Sequence, residues 1–235
     1  MVRIIFENEN FIAVEKPAGF LCHPPENKQA YYNPRLDLQV KLGKMFDKPL
    51  FPVHRLDKDT SGIVLYAFNK LVANEFNQLF AHRKVTKTYI AVVRGWVLND
   101  QIIQEPLQSD SSAELLEAET QIFPIAHIEI PIANCRHPSS RYTLLKVLPN
   151  TGRYHQIRRH CQFISHPIIG DKTHGDQFHN KLFEREFKIK GLLLRAQNIS
   201  FSRNEGYYQL RGNFKHQWHQ VFDLFKVCPY LSELE

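Results

Sequence analysis

Six short segments of the chain are rich in Val, Ile, Leu, Phe or Tyr, and they restrict the possible folds more than any other feature. Such segments favour β-strands. They do not alternate regularly with helices, as they would in a doubly wound parallel sheet. The sequence therefore predicts an α+β fold with a long, mixed but mostly antiparallel sheet. The candidate strands are residues 2–6, 11–15, 63–67, 88–93, 142–148 and 192–201.

Three segments carry apolar residues at helical spacing, which predicts helices over residues 71–83, 153–165 and 216–227. Thr151 is a plausible cap for the second of these helices. Residues 36–46 fit two structures, because their leucines alternate as in a strand while the lysines and the length suit a helix.

Composition excludes several classes of protein. With 235 residues, of which 43% are hydrophobic, the chain is long enough for one large globular domain over residues 1–235, and its length also fits two small lobes. No apolar run approaches the roughly 20 residues of a membrane helix. A strand candidate follows Met1 at once, so no signal peptide is expected. The four cysteines are scattered without a Cys-x-x-Cys pair, which argues against a zinc site or a disulfide framework and favours the reducing cytoplasm.

Charge is distributed unevenly, although the net charge is only +6. Residues 95–135 contain seven acidic residues and no Lys or Arg, whereas residues 136–170 contain six Lys or Arg and no acidic residue. Such a basic block is typical of a nucleic-acid surface. A solvated face balanced by acids elsewhere in the fold fits the charge equally well. If the block binds RNA, the acid-rich segment should lie apart from it.

Residues 54–62, His-Arg-Leu-Asp-Lys-Asp-Thr-Ser-Gly, place Asp57 between an apolar anchor, Leu56, and a turn. Small and polar residues supply the turn, and the strand candidate 63–67 follows it. We therefore expect Asp57 on a loop that leads into a rigid strand, which is a common place for a catalytic group. An isolated Asp in this setting more often only caps a turn.

Ordered motifs along the chain resemble those of the RluA-type pseudouridine synthases. The string at 54–62 is similar to that family's catalytic motif, residues 12–23 to its opening strand and Lys-Pro-x-Gly turn, and residues 87–95 to its tyrosine motif. Residues 151–160, Thr-Gly-Arg-Tyr-His-Gln-Ile-Arg-Arg-His, are similar to its arginine motif, and residues 166–171 follow at the expected place. These motifs extend over nearly the whole chain.

The resemblance implies a sheet in two halves with a central cleft that holds Asp57. It also implies that the chain begins directly at the catalytic domain, without a separate N-terminal RNA-binding module. We expect a monomer that binds RNA, with tRNA as the substrate that the motifs favour, and that needs neither a metal nor a cofactor.

Pseudouridine formation replaces the C–N glycosidic bond of uridine by a C–C bond at C5. By match to the family, Asp57 is the catalytic carboxylate, acting on C6 of the base, on C1′ of the sugar or through a glycal. Arg158 is expected to keep Asp57 ionised, because a nearby cation opposes the effect of burial on a carboxyl group. Without the resemblance, Arg158 fits a surface phosphate contact equally well. Tyr89 is expected to stack on the target base and reach the C5 proton, although a strand tyrosine is more often a core residue.

A stacked uridine must be extruded before it can react. Arg55 is expected to fill the vacated space, and Leu194 to lie against the flipped base or simply in the core. His54 either contacts a phosphate or satisfies a buried hydrogen bond. Arg195 stands where relatives commonly have His, which should alter packing or RNA contact rather than chemistry. The remaining candidate RNA contacts are Thr60, Lys87, Arg153, His155 and Arg159.

Within the family, residues 128–160 are most similar to members that modify uridine 65 in the T-stem of tRNA. A ribosomal RNA synthase of the same fold is the alternative enzyme. A non-catalytic RNA-binding protein is a further alternative, against which the joint presence of Asp57, Tyr89 and Arg158 argues. A metal-dependent nuclease is disfavoured, because it needs clustered carboxylates and only Asp57 and Asp59 lie together here.

Overall fold

The computed structural model describes residues 2–25, 32–134, 137–204 and 206–228. The chain forms two compact units, and each unit is assembled from two separate stretches of sequence. The first comprises residues 1–87 and 196–212, and the second residues 88–195 and 213–235. The chain therefore passes from one unit to the other three times. A single catalytic domain over residues 1–235 stays a prediction.

In the first unit, strands predominate and lie beside two α-helices. Their sheet order is β1-β2-β4-β11, with β3 paired to β4 and β12 to β11. The pairs β1–β2, β2–β4, β3–β4 and β11–β12 are antiparallel. The elements are β1 (Arg3–Glu7), β2 (Phe11–Lys16), a 3₁₀ turn (Pro34–Leu36), α1 (Leu38–Phe46), β3 (Phe51–Pro52), β4 (Ser61–Ala67), α2 (Lys70–Ala81), most of β11 (Leu194–Arg203) and β12 (Gly206–Arg211).

Aromatic side chains fill the core of this unit. Phe76 of α2 makes edge-on contacts with Phe11 of β2 at 5.3 Å and with Phe201 of β11 at 5.1 Å between ring centroids. Burial of such rings is the main favourable term for packing α2 on the sheet. The ambiguous segment 36–46 is a helix, because the Asp37 carboxylate accepts a hydrogen bond from the Val40 amide at 3.0 Å and so caps α1.

The second unit has a sheet and a hydrophobic core of its own. Its sheet order is β5-β10-β9-β6, and the β5–β10, β9–β10 and β6–β9 pairs are antiparallel. Helices α4 and α5 contribute Phe183 and Phe222 to a core that also contains Ile90 and Tyr142. The elements are most of β5 (Val85–Arg94), β6 (Gln101–Ile103), β7 (Leu107–Gln108), β8 (Leu115–Leu116), β9 (Thr120–Ile130), β10 (Ser140–Pro149), α3 (Gln156–Phe163), α4 (Gln177–Phe187) and α5 (His216–Phe225).

The predicted α+β class with mostly antiparallel strands is confirmed, and so are the six predicted strands and the helices at 71–83 and 216–227. The helix predicted over 153–165 is shorter, since it begins only at Gln156. Strand β9 and helix α4 were not predicted. Within the part of the chain that the structure describes, every helix is too short or too polar to cross a membrane.

Candidate active site

Asp57 lies on a tight turn directly before strand β4. The Thr60 amide donates a hydrogen bond to the Asp57 carbonyl at 3.1 Å, which closes the turn. Leu56 on one side is buried, and the β4 residues from Gly62 to Ala67 are all buried on the other. Asp57 is itself half-buried. The predicted loop that leads into a rigid strand is therefore present.

Residues on both sides of Asp57 are held by the segment 16–22. The Lys16 ammonium donates hydrogen bonds to the carbonyl oxygens of Lys58 at 2.8 Å, Phe20 at 2.7 Å and Pro17 at 3.2 Å. The Gly19 amide donates to the same Lys58 carbonyl at 2.8 Å. These bonds fix the backbone directly after Asp57.

On the preceding side, the thiol of Cys22 bonds to both backbone groups of Leu56. The Leu56 amide donates to Cys22 Sγ at 3.2 Å, and Sγ donates to the Leu56 carbonyl at 3.5 Å. The Tyr66 hydroxyl of β4 in turn donates to the Cys22 carbonyl at 2.6 Å. The sequence pattern around the Lys-Pro-x-Gly turn did not predict that Lys16 and Cys22 support the loop that carries Asp57.

Lys16 also interacts electrostatically with the loop that carries Asp57. Burial lowers the pKa of its ammonium to about 8, while charges at Cys22, Asp57 and Asp59 act in the opposite direction. At neutral pH the ammonium is therefore still largely protonated and contributes a buried positive charge near Asp57.

His54 satisfies a backbone hydrogen bond in the first unit. Its Nε2 accepts from the Leu65 amide at 3.1 Å, and its ring lies 5.3 Å from that of Phe80. Burial, assisted by the positive charge of Lys87, lowers the pKa of His54 to about 3, so the imidazole is neutral at physiological pH. This geometry favours the second of the two roles expected for His54, and the phosphate contact stays a prediction.

Three further candidates of the first unit differ in exposure. Arg55 is exposed, as a residue that enters an RNA stack must be. Lys87 is half-buried, and burial lowers the pKa of its ammonium. Thr60 is buried, and within the described ranges its hydroxyl has no hydrogen-bond partner. Its expected RNA contact stays a prediction.

In the second unit, Tyr89 and Leu194 are both buried. Tyr89 lies on β5 opposite Val147 of β10, and Leu194 is the first residue of β11. Arg195 is 1% exposed, donates to the Asn213 carbonyl at 2.7 Å and places its guanidinium 5.5 Å from the Phe214 ring centroid. The residue that differs from the family pattern thus contributes to local packing.

Arg158 forms a buried bidentate ion pair with Asp171. Its Nε donates to Asp171 Oδ2 at 2.7 Å and its Nη2 to Oδ1 at 2.8 Å. Burial alone would raise the pKa of Asp171, but hydrogen bonds from Arg158, His174 and Thr173 outweigh it and hold the pKa below its usual value. The pair was not predicted, although Asp171 ends one of the family-like motifs. The predicted pairing of Arg158 with Asp57 joins residues of different units and stays a prediction.

Helix α3 begins at a residue in left-handed backbone conformation. His155 has φ +52° and provides no side-chain cap, which is why the helix starts after it. The prediction that Thr151 caps this helix is wrong, because its hydroxyl donates to the Gln156 side chain at 2.7 Å instead. The guanidinium groups of Arg153 and Arg159 donate to the carbonyls of Glu117 and Gln108, each at 2.9 Å.

Acidic and basic segments of the second unit are not separated as the charge pattern predicted. Strand β9 of the acid-rich segment pairs with β10 of the basic block, with Glu129 opposite Arg141. Arg141 Nε lies 3.2 Å from a Glu129 carboxylate oxygen, and its guanidinium lies 4.4 Å from the Trp96 ring centroid. The expected separation is therefore wrong at this contact. Arg136, which belongs to the same basic loop, lies outside the described residues.

The sequence candidates divide between the two units as follows. His54, Arg55, Asp57, Thr60 and Lys87 belong to the first unit. The second unit contains Tyr89, Arg153, His155, Arg158, Arg159 and Leu194.

Among the described residues, no cluster of three or more His, Cys, Asp or Glu has metal-binding geometry.

Comparison with protein families gives a match over more than half of the chain. Residues 10–163 match the model of the family described as RNA pseudouridylate synthase. That range contains Asp57, Tyr89 and Arg158.

Curated relatives extend the similarity to both ends of the chain. The chain is 35% identical over 238 residues to tRNA pseudouridine synthase C of Vibrio vulnificus, with 96% of each protein covered. It is 36% identical over 211 residues to the protein of the same name from Vibrio cholerae, covering 86% of this chain and 85% of the relative. The Pasteurella multocida protein of that name is 31% identical over 239 residues, covering 95% and 96%.

Solved structures share the fold. Human RNA Pseudouridylate Synthase Domain Containing 4 superposes with a TM-score of 0.72 at 20% identity, covering 95% of this chain and 92% of that chain. Human RNA Pseudouridylate Synthase Domain Containing 1 gives 0.71 at 22% identity, covering 91% and 84%.

Proposed function

The chain belongs to the RNA pseudouridylate synthase family, and on that premise we propose that it converts uridine to pseudouridine in tRNA, at position 65 of the T-stem. The observation that carries the choice of tRNA is the similarity to proteins named tRNA pseudouridine synthase C, which extends over nearly the full length of both chains. Position 65 rests on the likeness of residues 128–160 to members that modify that uridine.

Asp57 performs the covalent or charge-stabilising step. Breaking the glycosidic bond leaves positive charge on the sugar, and a carboxylate can stabilise that charge or bond to the substrate. The support for this role is the loop itself, because bonds from Lys16, Gly19 and Cys22 fix the backbone on both sides of Asp57. A carboxylate on a rigid loop keeps its position while the uracil is released, rotated and joined again through C5.

Arg158 supplies positive charge to the same reaction from the second unit. Its bidentate bond to Asp171 fixes the guanidinium plane, and a guanidinium, with five N–H donors in one plane, can bind a second acceptor as well. Asp57 is that acceptor in the proposed complex. A lysine at position 158 would have a single ammonium group and would lack the planar set of N–H donors with which arginine can bind two carboxylates.

Tyr89 and Arg55 complete the proposed site. Tyr89 stacks on the target base and its hydroxyl reaches the proton that leaves C5. Exposed Arg55 enters the RNA stack when the uridine is extruded. The enzyme would act as a monomer in the cytoplasm, on tRNA.

The test compares pseudouridine formation in an unmodified tRNA transcript by wild-type protein, Asp57→Asn and Asp59→Asn. The two substitutions remove equal charge from one loop, and exposed Asp59 serves as the matched control. We expect Asp57→Asn to bind the transcript but to form no pseudouridine in a single turnover, while Asp59→Asn retains activity.

The same proposal predicts that deletion of the gene removes pseudouridine from tRNA position 65. Loss from ribosomal RNA alone would contradict the choice of tRNA and leave the enzyme class intact. Wild-type turnover by Asp57→Asn would contradict the catalytic assignment itself.

A further inference from the structure

Three aromatic rings contact one another in a row at the start of helix α3. The ring of Tyr154 lies on that of His155 with centroids 3.8 Å apart and an interplanar angle of 18°. The His155 ring meets that of His174 edge-on, with centroids 5.2 Å apart. Tyr154 remains 45% exposed. One aromatic side chain is therefore presented to solvent on a support of two imidazoles.

The support is fixed by hydrogen bonds. His155 Nδ1 and His174 Nε2 are 3.0 Å apart, so one imidazole donates to the other. The backbone of His155 has φ +52°, a conformation that only surrounding contacts maintain in a non-glycine residue. The direction of the Tyr154 ring is thus set before any ligand binds.

His174 is in turn held by the buried ion pair. Oδ1 of Asp171 accepts hydrogen bonds from the amides of Thr173 and His174, both at 2.9 Å, and Arg158 fixes the same carboxylate. Gly175 closes this turn so tightly that a Cβ there would lie 2.1 Å from the Asp171 carbonyl oxygen. The ring stack and the proposed catalytic Arg158 therefore share one rigid support.

Basic residues lie close to Tyr154 in the sequence and at the start of helix α3. Arg153 precedes Tyr154, and Arg159 is joined to His155 by an amide-to-carbonyl bond of 2.9 Å. The guanidinium groups of both arginines donate to backbone carbonyl oxygens, which carry no net charge and so do not cancel theirs. Lys172 is exposed in the turn that carries His174. An exposed aromatic face in a basic segment can bind a base by stacking and its phosphates by charge.

We propose that Tyr154 is a stacking platform for one unpaired or splayed base of the RNA substrate, with His155 and His174 as positioning residues beneath it. The inference rests on the proposed function, because it takes RNA to be the ligand. It adds an RNA-binding residue that the sequence motifs did not single out. A tyrosine that only covered His155 would need neither a preformed support nor a ring that stays 45% exposed.

The first test measures affinity for a synthetic T-arm hairpin by wild-type protein, Tyr154→Phe and Tyr154→Leu. Phenylalanine keeps the stacking face, so we expect affinity within about twofold of wild type, whereas leucine should weaken binding about 5- to 150-fold. Tyr207→Leu is the matched control, since Tyr207 is a 67% exposed tyrosine on β12. Equal affinity of Tyr154→Leu and Tyr207→Leu would overturn the proposal.

The second test identifies the stacked base by a double-mutant cycle. Hairpins with a single abasic nucleotide are scanned against wild-type protein and Tyr154→Leu. The stacked position is the one whose base contributes to wild-type affinity but not to that of the variant. Additive losses at every position would overturn the proposal, because they would mean that Tyr154 acts on no particular base. Tyr154→Gln replaces the leucine variant if the latter unfolds at a lower temperature than wild type.

Pseudouridine formation by wild-type protein is measured on the same hairpins and on intact tRNA. A wild-type protein that forms no pseudouridine in either RNA overturns the proposed function. A protein that forms it, but whose Tyr154 variants all bind as wild type does, overturns the stacking platform alone.

Discussion

Lys16 is the residue whose protonation matters most for the Asp57 loop. A protonated ammonium has three N–H donors, and three carbonyl oxygens lie within hydrogen-bond distance of Nζ. A neutral amine has only two donors. Loss of the proton therefore removes one of the bonds around the loop and also removes the positive charge near Asp57.

We predict that the single-turnover rate of pseudouridine formation falls as pH rises above about 8, the pKa to which burial lowers Lys16. The rate is measured with enzyme in excess, so that RNA binding does not limit it. Lys16→Met should be slow at all pH values and should lack this alkaline decline. Lys84→Met, at an exposed lysine of the same unit, is the control and should keep the wild-type profile.

Deprotonation of Lys16 does not make the protein unfold at alkaline pH, so unfolding from this cause cannot explain the decline in rate. The pKa of Lys16 is lower in the folded protein than its ordinary value of 10.5, so the unfolded chain binds more protons between about 8 and 10.5. By linkage, the contribution of Lys16 to the free energy of unfolding rises with pH in that window. A constant rate from pH 7 to pH 9.5 would show that the ammonium does not support the loop.

Single residues show where sequence reasoning succeeds and where it stops. The loop position of Asp57 followed from an apolar anchor, a turn and a strand, all of which are local features. The distant partners of Lys16, Cys22 and Arg158 are Lys58, Leu56 and Asp171, which lie 42, 34 and 13 residues away. Such partners depend on which strands become neighbours, and no spacing rule reveals them.

At the scale of elements, the turn before helix α4 depends on a close backbone approach. A Cβ at Gly170 would lie 1.8 Å from the carbonyl oxygen of Gly191, and the Gly170 amide donates to the Asn180 side chain of α4 at 2.6 Å. Gly191 has the same φ of +81° but no atom within 4 Å of its own Cβ position. Substituting each of the two glycines in turn therefore distinguishes the effect of a close backbone approach from the effect of a left-handed backbone conformation.

We predict that Gly170→Ala lowers the free energy of unfolding by about 2–5 kcal/mol, the sum of left-handed strain and overpacking. Gly191→Ala should cost only the strain, about 1–2 kcal/mol. Urea denaturation of both variants and wild type, at constant slope, gives the two differences. Equal destabilisation by the two substitutions would mean that the carbonyl group of Gly191 moves away from a Cβ at position 170 without cost.

Elements were predicted where periodicity was strong and uninterrupted. The helix at 70–81 has an amphipathic face and an Asn69 side chain that caps it, and both signals are local. Strand β9 escaped prediction because Pro124 lies within it, and a proline normally argues against an interior strand. The structure accommodates Pro124 beside a register shift in the β9–β10 pair at Leu144 and Leu145.

At the scale of the whole molecule, the distribution of paired and unneutralised charge governs RNA affinity. Arg141 is paired with Glu129 and stacked on Trp96. Arg153 and Arg159 donate to backbone carbonyls, which carry no net charge. The six cations of the basic block are therefore not equivalent, although the sequence makes them look so.

We predict that Arg153→Gln and Arg159→Gln each reduce the slope of log affinity against log salt by about one unit, because each removes a phosphate contact. Arg141→Gln should change the slope by much less, since Glu129 already neutralises that charge. Target and non-target tRNA should respond alike, because phosphate contacts carry no sequence information. A full-unit change for Arg141→Gln alone would reverse this charge map.

The order in which the chain is synthesised gives the two interleaved units a further consequence. Residues 196–212 add Ile199, Phe201 and Leu210 to the first core, and the stretch from 213 onwards adds Trp218 and Phe222 to the second. Neither core can close while the ribosome is still translating the first 195 residues, and at about 5–20 residues per second that interval lasts roughly 10–40 seconds. Nascent chains of this protein thus expose two incomplete cores together, and a stop codon at or before the codons for residues 196–212 would truncate both units at once.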